Sequence, residues 1–326
     1  MADNTVSDKC DNDFSIRQMT TDHIAGALRV FASHGLFEAN YSVETYLKID
    51  GNGFYVAIDD ITKEVIGVCG GPMLRPDLAF IGLYAVDQRY SGRRIGQKLF
   101  HIVLSYIGNQ QNVALFSVPD KLGLYRDRLG FRVVSDQTMV IYTGTVANVR
   151  QCSTDADSDD GIHVLTQLTD DLIDRQIVDY DRHIHGLSRD RLLGLSLRES
   201  GCRRAVAVDN NNKQVMGYGC LRVHSSGATT LSPLYADSPQ VAKRLLSALV
   251  VRDDSTGSSS SDSSNVLQTK NQSFYYYTLH TNPMAIELAE QLGLDKHEEC
   301  RLLFRKRIVP VNYEKIYSIL SPNFSL

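Results

Sequence analysis

The chain repeats itself. Val56-Ala-Ile-Asp-Asp-Ile-Thr-Lys-Glu-Val-Ile-Gly67 aligns without gaps to Val206-Ala-Val-Asp-Asn-Asn-Asn-Lys-Gln-Val-Met-Gly217, an offset of 150 residues. Leu83-Tyr84-Ala85 then matches Leu234-Tyr235-Ala236, and Leu129-Gly130 matches Leu292-Gly293, in the same order. A repeat this long constrains the fold strongly, because each copy must be a domain-sized unit with its own buried core. The 326 residues accommodate two such units. The expected layout is a disordered terminus over 1–13, a first domain over 14–147 and a linker over 148–161. A second domain over 162–309 and a tail over 310–326 follow. Asp253 to Asn265, rich in Ser and Asp, reads as a disordered loop inside the second domain.

Each copy shows the same order of hydrophobic patterns. In the first, a strand pair (Gly53 to Ile58, Val65 to Met73) precedes a strand over Leu78 to Val86, then an amphipathic helix over Arg94 to Ile107. An apolar strand (Val113 to Val118), a short helix stopped by Gly130 and strands over Phe131 to Tyr142 complete it. In the second, the pair Arg204 to Val208 and Val215 to Val223 precedes strand Thr229 to Ala236 and helix Ser238 to Val251. Strand Phe274 to His280 and helix Asn282 to Leu292 follow, and Cys300 to Lys306 is expected to close that sheet. The class is α/β (α+β): two tandem domains, each a mixed, mostly antiparallel sheet flanked by helices.

Between strand and helix of the first copy lies Tyr84-Ala-Val-Asp-Gln-Arg-Tyr-Ser-Gly-Arg-Arg-Ile-Gly96. A strand ending in a basic, glycine-bearing turn that opens a helix directs backbone N–H groups and a helix N-terminus at one spot. Such a spot suits a pyrophosphate. Gly92 and Gly96 allow close backbone approach, and Arg93, Arg94 and Lys98 add positive charge.

Val86 to Gly96, followed by Leu124-Tyr-Arg-Asp-Arg-Leu-Gly-Phe131, resembles the GCN5-related N-acetyltransferases, and the tandem layout is similar to their YitH/HolE-type members. There a second, divergent copy carries a run like Ser232-Pro-Leu-Tyr-Ala-Asp237. The resemblance implies an N-acetyltransferase that passes the acetyl group of acetyl-CoA directly to an amine, with the first domain catalytic and the second not. It implies that Tyr84, Ala85 and Val86 hold the pantetheine arm and thioester. Ser91, Gly92, Arg93, Arg94, Ile95, Gly96 and Gln97 would hold the phosphates. Tyr125 falls where relatives place the acid that protonates the departing thiolate. The family's Arg/Gln-x-x-Gly-x-Gly/Ala turn has Ser91 at its first position here and Arg94 at its first glycine. Arg94 is expected to offer its N–H if its φ is negative. The alternatives are a non-catalytic acyl-CoA-binding scaffold and an N-acyltransferase for longer acyl groups.

The second copy departs further. Ala85 to Leu99 spans 14 positions and Ala236 to Leu245 only 9, so the glycine turn is deleted, leaving the helix cap Asp237-Ser238-Pro239. Counting four back from the shared leucine gives Tyr125 in one copy and Leu288 in the other. For a general base, Asp87, His34, Glu38 and Tyr41 are candidates beside water. Tyr275, Tyr276 and Tyr277 share one strand, whose outward tyrosine is a candidate for an acceptor pocket.

Composition excludes other classes. A net charge of −4 gives no electrostatic case for nucleic acid. The six cysteines show no CxxC spacing, and His183 and His185 stand on opposed helix faces, so no metal is expected. No stretch approaches the ~20 apolar residues that span a bilayer. A cytoplasmic protein is expected, with a small amine or possibly a protein as acceptor.

Overall fold

The computed structural model describes residues 13–36, 38–152, 161–224, 227–250 and 272–324. The expected disordered terminus, except residue 13, and the loop 253–265 lie outside them, as does 153–160 of the linker. The first half runs β1 (Phe14–Gln18), α1 (Ile24–Ala32), α2 (Asn40–Asp50), β2 (Phe54–Asp59), β3 (Val65–Gly70), β4 (Met73–Arg75), β5 (Leu78–Phe80) and β6 (Gly82–Val86). It continues through α3 (Ile95–Ile107), β7 (Asn112–Ser117) and β8 (Val133–Thr145). After α4 (Val146–Cys152) come β9 (Ile162–Leu165), α5 (Val178–His185), α6 (Asp190–Ser196), β10 (Cys202–Asp209), β11 (Val215–Val223) and β12 (Thr229–Ala236). Helix α7 (Pro239–Val250), β13 (Ser273–Leu279), α8 (Pro283–Gln291), β14 (Asp295–Phe304) and β15 (Ile316–Ser318) end the chain.

The duplication holds at atomic detail. In the β2–β3 turn the Asp59 carboxylate accepts the N–H groups of Ile61 (2.9 Å) and Thr62 (2.7 Å). In the β10–β11 turn Asp209 accepts those of Asn211 (2.7 Å) and Asn212 (3.1 Å). Lys63 and Lys213 take the same left-handed conformation, with φ of 62° and 59°. A repeat in the helices went unused in the sequence reading. His34-Gly-Leu36 and His185-Gly-Leu187 both follow the first helix of their halves, with Gly35 and Gly186 at positive φ.

Strand order departs from two separate sheets. One sheet is β1-β2-β3-β6, and the other runs β4-β5-β7-β14-β8-β13-β12-β11-β10-β9. Strand β14, expected to close the second half's sheet, instead lies between β7 and β8 of the first half, antiparallel to both. Strand β8 then pairs with β13, so one continuous sheet crosses from half to half. A backbone ladder needs only a strand of matching length and alternation. Leu303 and Phe304 supply that alternation to either sheet and are fully buried here.

The stretch expected as a tail is packed. Strand β15 pairs with β12, and beyond it Leu320 and Phe324 join the core of Tyr46, Phe54 and Val68 in the first half. Helix α3 contributes Ile95, Leu99, Phe100, Val103 and Ile107 to a second core of that half. Each such side chain contributes about 1.5–3 kcal/mol on burial.

Candidate functional site

Ile81, between β5 and β6, donates its N–H to Ala114 O of β7 at 2.8 Å, and from there β6 and β7 diverge into different sheets. Strand β6 pairs with β3 on one side, and its other edge carries no strand. A bulge at Leu83, φ 47°, interrupts that pairing. Between the diverging strands lies a cavity of about 440 Å³. Its walls include Tyr84 and Ala85 of β6, Leu115 of β7, His34 of the α1–α2 loop and Tyr125.

Of the expected residues, Tyr84, Ala85 and Tyr125 line this cavity, while Val86 and Ser91 to Gln97 do not. Tyr84 packs edge-on against Phe100 of α3, ring centroids 5.5 Å apart. Tyr125 sits on one π-helical turn, Leu124–Arg128, wedged between Phe100 (5.8 Å) and Phe131 (6.2 Å). Burial, then the neighbouring Tyr84, pushes the Tyr125 hydroxyl above its ordinary pKa, so it holds its proton. The Val86 carbonyl bonds His34 Nε2 at 2.7 Å. That carbonyl only accepts, so Nε2 donates.

Ser91 to Gln97 form the turn and the first residues of α3. Gly92 has φ +82°, nothing crowds its Cβ position, and Arg93 lies over the Tyr90 ring at 5.2 Å. The Ile95 side chain is buried in the core, so only its backbone faces the turn. Gly96 permits a close approach of protein to protein: a Cβ there would stand 2.5 Å from the Tyr84 hydroxyl. Arg94 corrects an expectation, because its φ is +59°, not negative. It caps α3 in the left-handed conformation, which costs a non-glycine residue about 1–2 kcal/mol. Replacing Arg94 by Gly relieves that strain and adds unfolded-state entropy, so R94G is expected to stabilise the fold by up to about 1 kcal/mol. A Tm that falls on this substitution would contradict the assignment of strain.

The candidate bases have other partners. Asp87 caps the following turn through the Arg89 N–H (3.0 Å) and pairs with its guanidinium (2.7 Å), which holds the carboxyl below its usual range. Glu38 is buried and accepts from the Ala39 N–H (3.1 Å), Ser321 (2.9 Å) and Asn323 (3.1 Å). It thus anchors the C-terminal segment, and burial raises its pKa. Tyr41 donates to Val223 O at 2.7 Å, away from the cavity.

The second half supplies walls that sequence reasoning found only in part. Both Tyr275 and Tyr277 of β13 line the cavity, their rings stacked at 6.4 Å, while Tyr276 points into the opposite core. His297, Glu298 and Cys300 of β14 and Asn323 line it too. Period-two alternation along β13 signalled the tyrosines. No local signal could place β14 beside β8, because that pairing partner is remote in sequence.

The equivalent place in the second half is filled. Strand β12 pairs with β13 only over Thr229 to Leu231. Past that point β15 enters the gap, pairing with Leu234 and Tyr235, while the Ile319 N–H donates to Tyr277 O at 2.9 Å. His185, the counterpart of His34, is buried beside Asp181 at 3.6 Å. Burial, with help from Arg189, lowers its pKa to about 3, so it stays neutral. Asp181 also accepts from Arg189 (2.8 Å) and Tyr218 (2.5 Å). At the deleted turn Asp237 accepts from Tyr180 (2.9 Å) and Lys315 (2.8 Å). Among the described residues, no group of three His, Cys, Asp or Glu side chains could hold a metal. No helix among them is long and apolar enough to cross a membrane.

Comparison with known proteins agrees with this geometry. Residues 22–131 match the acetyltransferase (GNAT) family and residues 177–256 an acetyltransferase (GNAT) domain. A putative acetyltransferase from Pyrococcus horikoshii superposes over 99% of both chains with TM-score 0.69 at 20% identity. A tandem GNAT protein from the clavulanic acid biosynthesis pathway does so over 89% of this chain and 98% of its own, with TM-score 0.58 at 12% identity. At these identities the superpositions speak for the fold alone. An uncharacterised protein of Caenorhabditis elegans is 25% identical over 171 residues, 52% of this chain. The match spans about half the length of that curated relative, 53%. With two acetyltransferase (GNAT) domains in tandem, the chain belongs to the GCN5-related N-acetyltransferase superfamily.

Proposed function

We propose that the first half transfers an acetyl group from acetyl-CoA directly to an amine, and that the second half builds the acceptor side without catalysing. The observation that carries this reading is the contrast between two equivalent gaps. The β6–β7 gap is open, edged by β6 at the margin of its sheet and lined by Tyr125. The β12–β13 gap is stoppered by the chain's own β15.

The free edge of β6 suits the amide-bearing pantetheine arm, which would add to the sheet as a further strand does. The turn Ser91 to Gly96 and the start of α3 suit the pyrophosphate. The neutral amine attacks the thioester carbonyl, the C–S bond breaks, and the Tyr125 hydroxyl gives its proton to the departing thiolate. The proton lost from the acceptor nitrogen passes to water, and the phenolate is then reprotonated from solvent. A phenol held above its ordinary pKa is fully protonated at neutral pH, ready to donate.

Calorimetry with acetyl-CoA followed by a thiol-release assay over an amine panel tests the reading. Binding with amine-dependent release is expected. Binding without release would favour a scaffold role, and tighter binding with faster release from octanoyl-CoA would favour a longer-chain acyl donor.

A further inference from the structure

We propose that Glu298 selects the acceptor, and that the acceptor is a small amine carrying a second positive charge at its far end. This rests on the transfer reading above and names the substrate class of that cavity. The register of the central sheet sets out the argument. Glu298 of β14 stands opposite Ile141 of β8, and Ile141 stands opposite Tyr277 of β13. Directly opposed residues project to the same face, their Cβ atoms about 4.5–5.5 Å apart. One row across the cavity floor therefore reads carboxylate, aliphatic, phenol, and Tyr275 stacks on Tyr277 beside it.

The residue before Glu298 is the extra one of a bulge between Lys296 and Glu298, which turns Glu298 onto the Cys300 side of the strand. Cys300 confirms the placement. Its thiol is held up at about 12 chiefly by burial, and next by the charge of Glu298 and Glu299.

Glu298 is half-buried in a cavity whose other floor residues, Met139, Ile141 and Leu115, are apolar. Its neighbour Glu299 pairs with Lys296 at 2.5 Å, and Lys121, which also lines the cavity, pairs with Asp120 at 2.9 Å. The Glu298 carboxylate has no ion-pair partner among the described residues. A carboxylate in such surroundings is costly unless a cation meets it. Across Ile141, the phenol rings of Tyr277 and Tyr275 attract a cation further. The cavity volume of about 440 Å³ is that of a small-molecule site. An ammonium at the far end of the acceptor would rest between Glu298 and the tyrosines and leave the other amine toward the thioester.

The test uses the full chain, acetyl-CoA and three isosteric acceptors: 1,5-diaminopentane, pentylamine and 5-aminopentanoate. The diamine is expected to exceed pentylamine in kcat/KM by at least about tenfold, equivalent to about 1.4 kcal/mol. The aminopentanoate should be poorest. Glu298→Gln should reduce the diamine-to-pentylamine ratio about tenfold while acetyl-CoA still binds by calorimetry, which shows that the variant is folded. Pentylamine used as well as the diamine, or an unchanged ratio in E298Q, overturns the assignment and leaves acyl transfer standing. Acylation of none of the three despite acetyl-CoA binding counts against both.

Discussion

Tyr125→Phe is expected to lower kcat by about 100-fold or more and to leave the acetyl-CoA Kd within about twofold. The substitution removes one oxygen and keeps the ring that packs between Phe100 and Phe131, so the wall of the cleft survives. Only the proton for the thiolate is lost. Because the hydroxyl's pKa lies above its ordinary value, the wild-type rate should show no loss of a protonated acid at neutral pH. Pre-steady-state thiol release with a fixed amine, paired with calorimetry, separates the two quantities. An unchanged kcat would remove Tyr125 from the mechanism, and a Kd raised tenfold would recast it as a binding residue.

The second large effect concerns stability. Phe324 follows β15 in the stretch expected as a tail. Here its ring sits fully buried against Tyr46, centroids 4.1 Å apart, and edge-on to Phe54 at 5.6 Å. Phe324→Ala is expected to cost about 3–5 kcal/mol, read as a lower urea midpoint. It should also loosen Asn323, whose side chain accepts from the Leu83 N–H at 3.4 Å and donates to Glu38. A change below about 1 kcal/mol would mean that the segment does not hold the first half's core.

Much of this was legible in the sequence. The repeated Asp turn, the helix after the glycine turn and the five missing residues of the second copy are all local patterns. They pointed to two related units and to which of them kept the glycine turn. Alternation along Tyr275-Tyr276-Tyr277 pointed one face outward, and the structure places two tyrosines on it rather than one.

What escaped was non-local. Nothing in Asp295 to Phe304 says which of two similar sheets it will join, since the ladder is made by backbone groups common to all residues. The wedge of β15 between β12 and β13 was hidden for the same reason, in a short stretch read as a tail. The left-handed conformation of Arg94 was hidden too, because the turn and not the residue type sets it. The His-Gly-Leu repeat was visible and would have linked His34 to its buried counterpart His185.

The contrast between an open and a stoppered gap is the center of the account. A crystal structure of the full chain with acetyl-CoA tests it most directly. It should hold one coenzyme per chain, its pyrophosphate at the start of α3, its arm along β6 and its sulfur beside the Tyr125 hydroxyl. Coenzyme lodged between β12 and β13 with β15 displaced, or bound with its thioester away from the β6–β7 cleft, would contradict it.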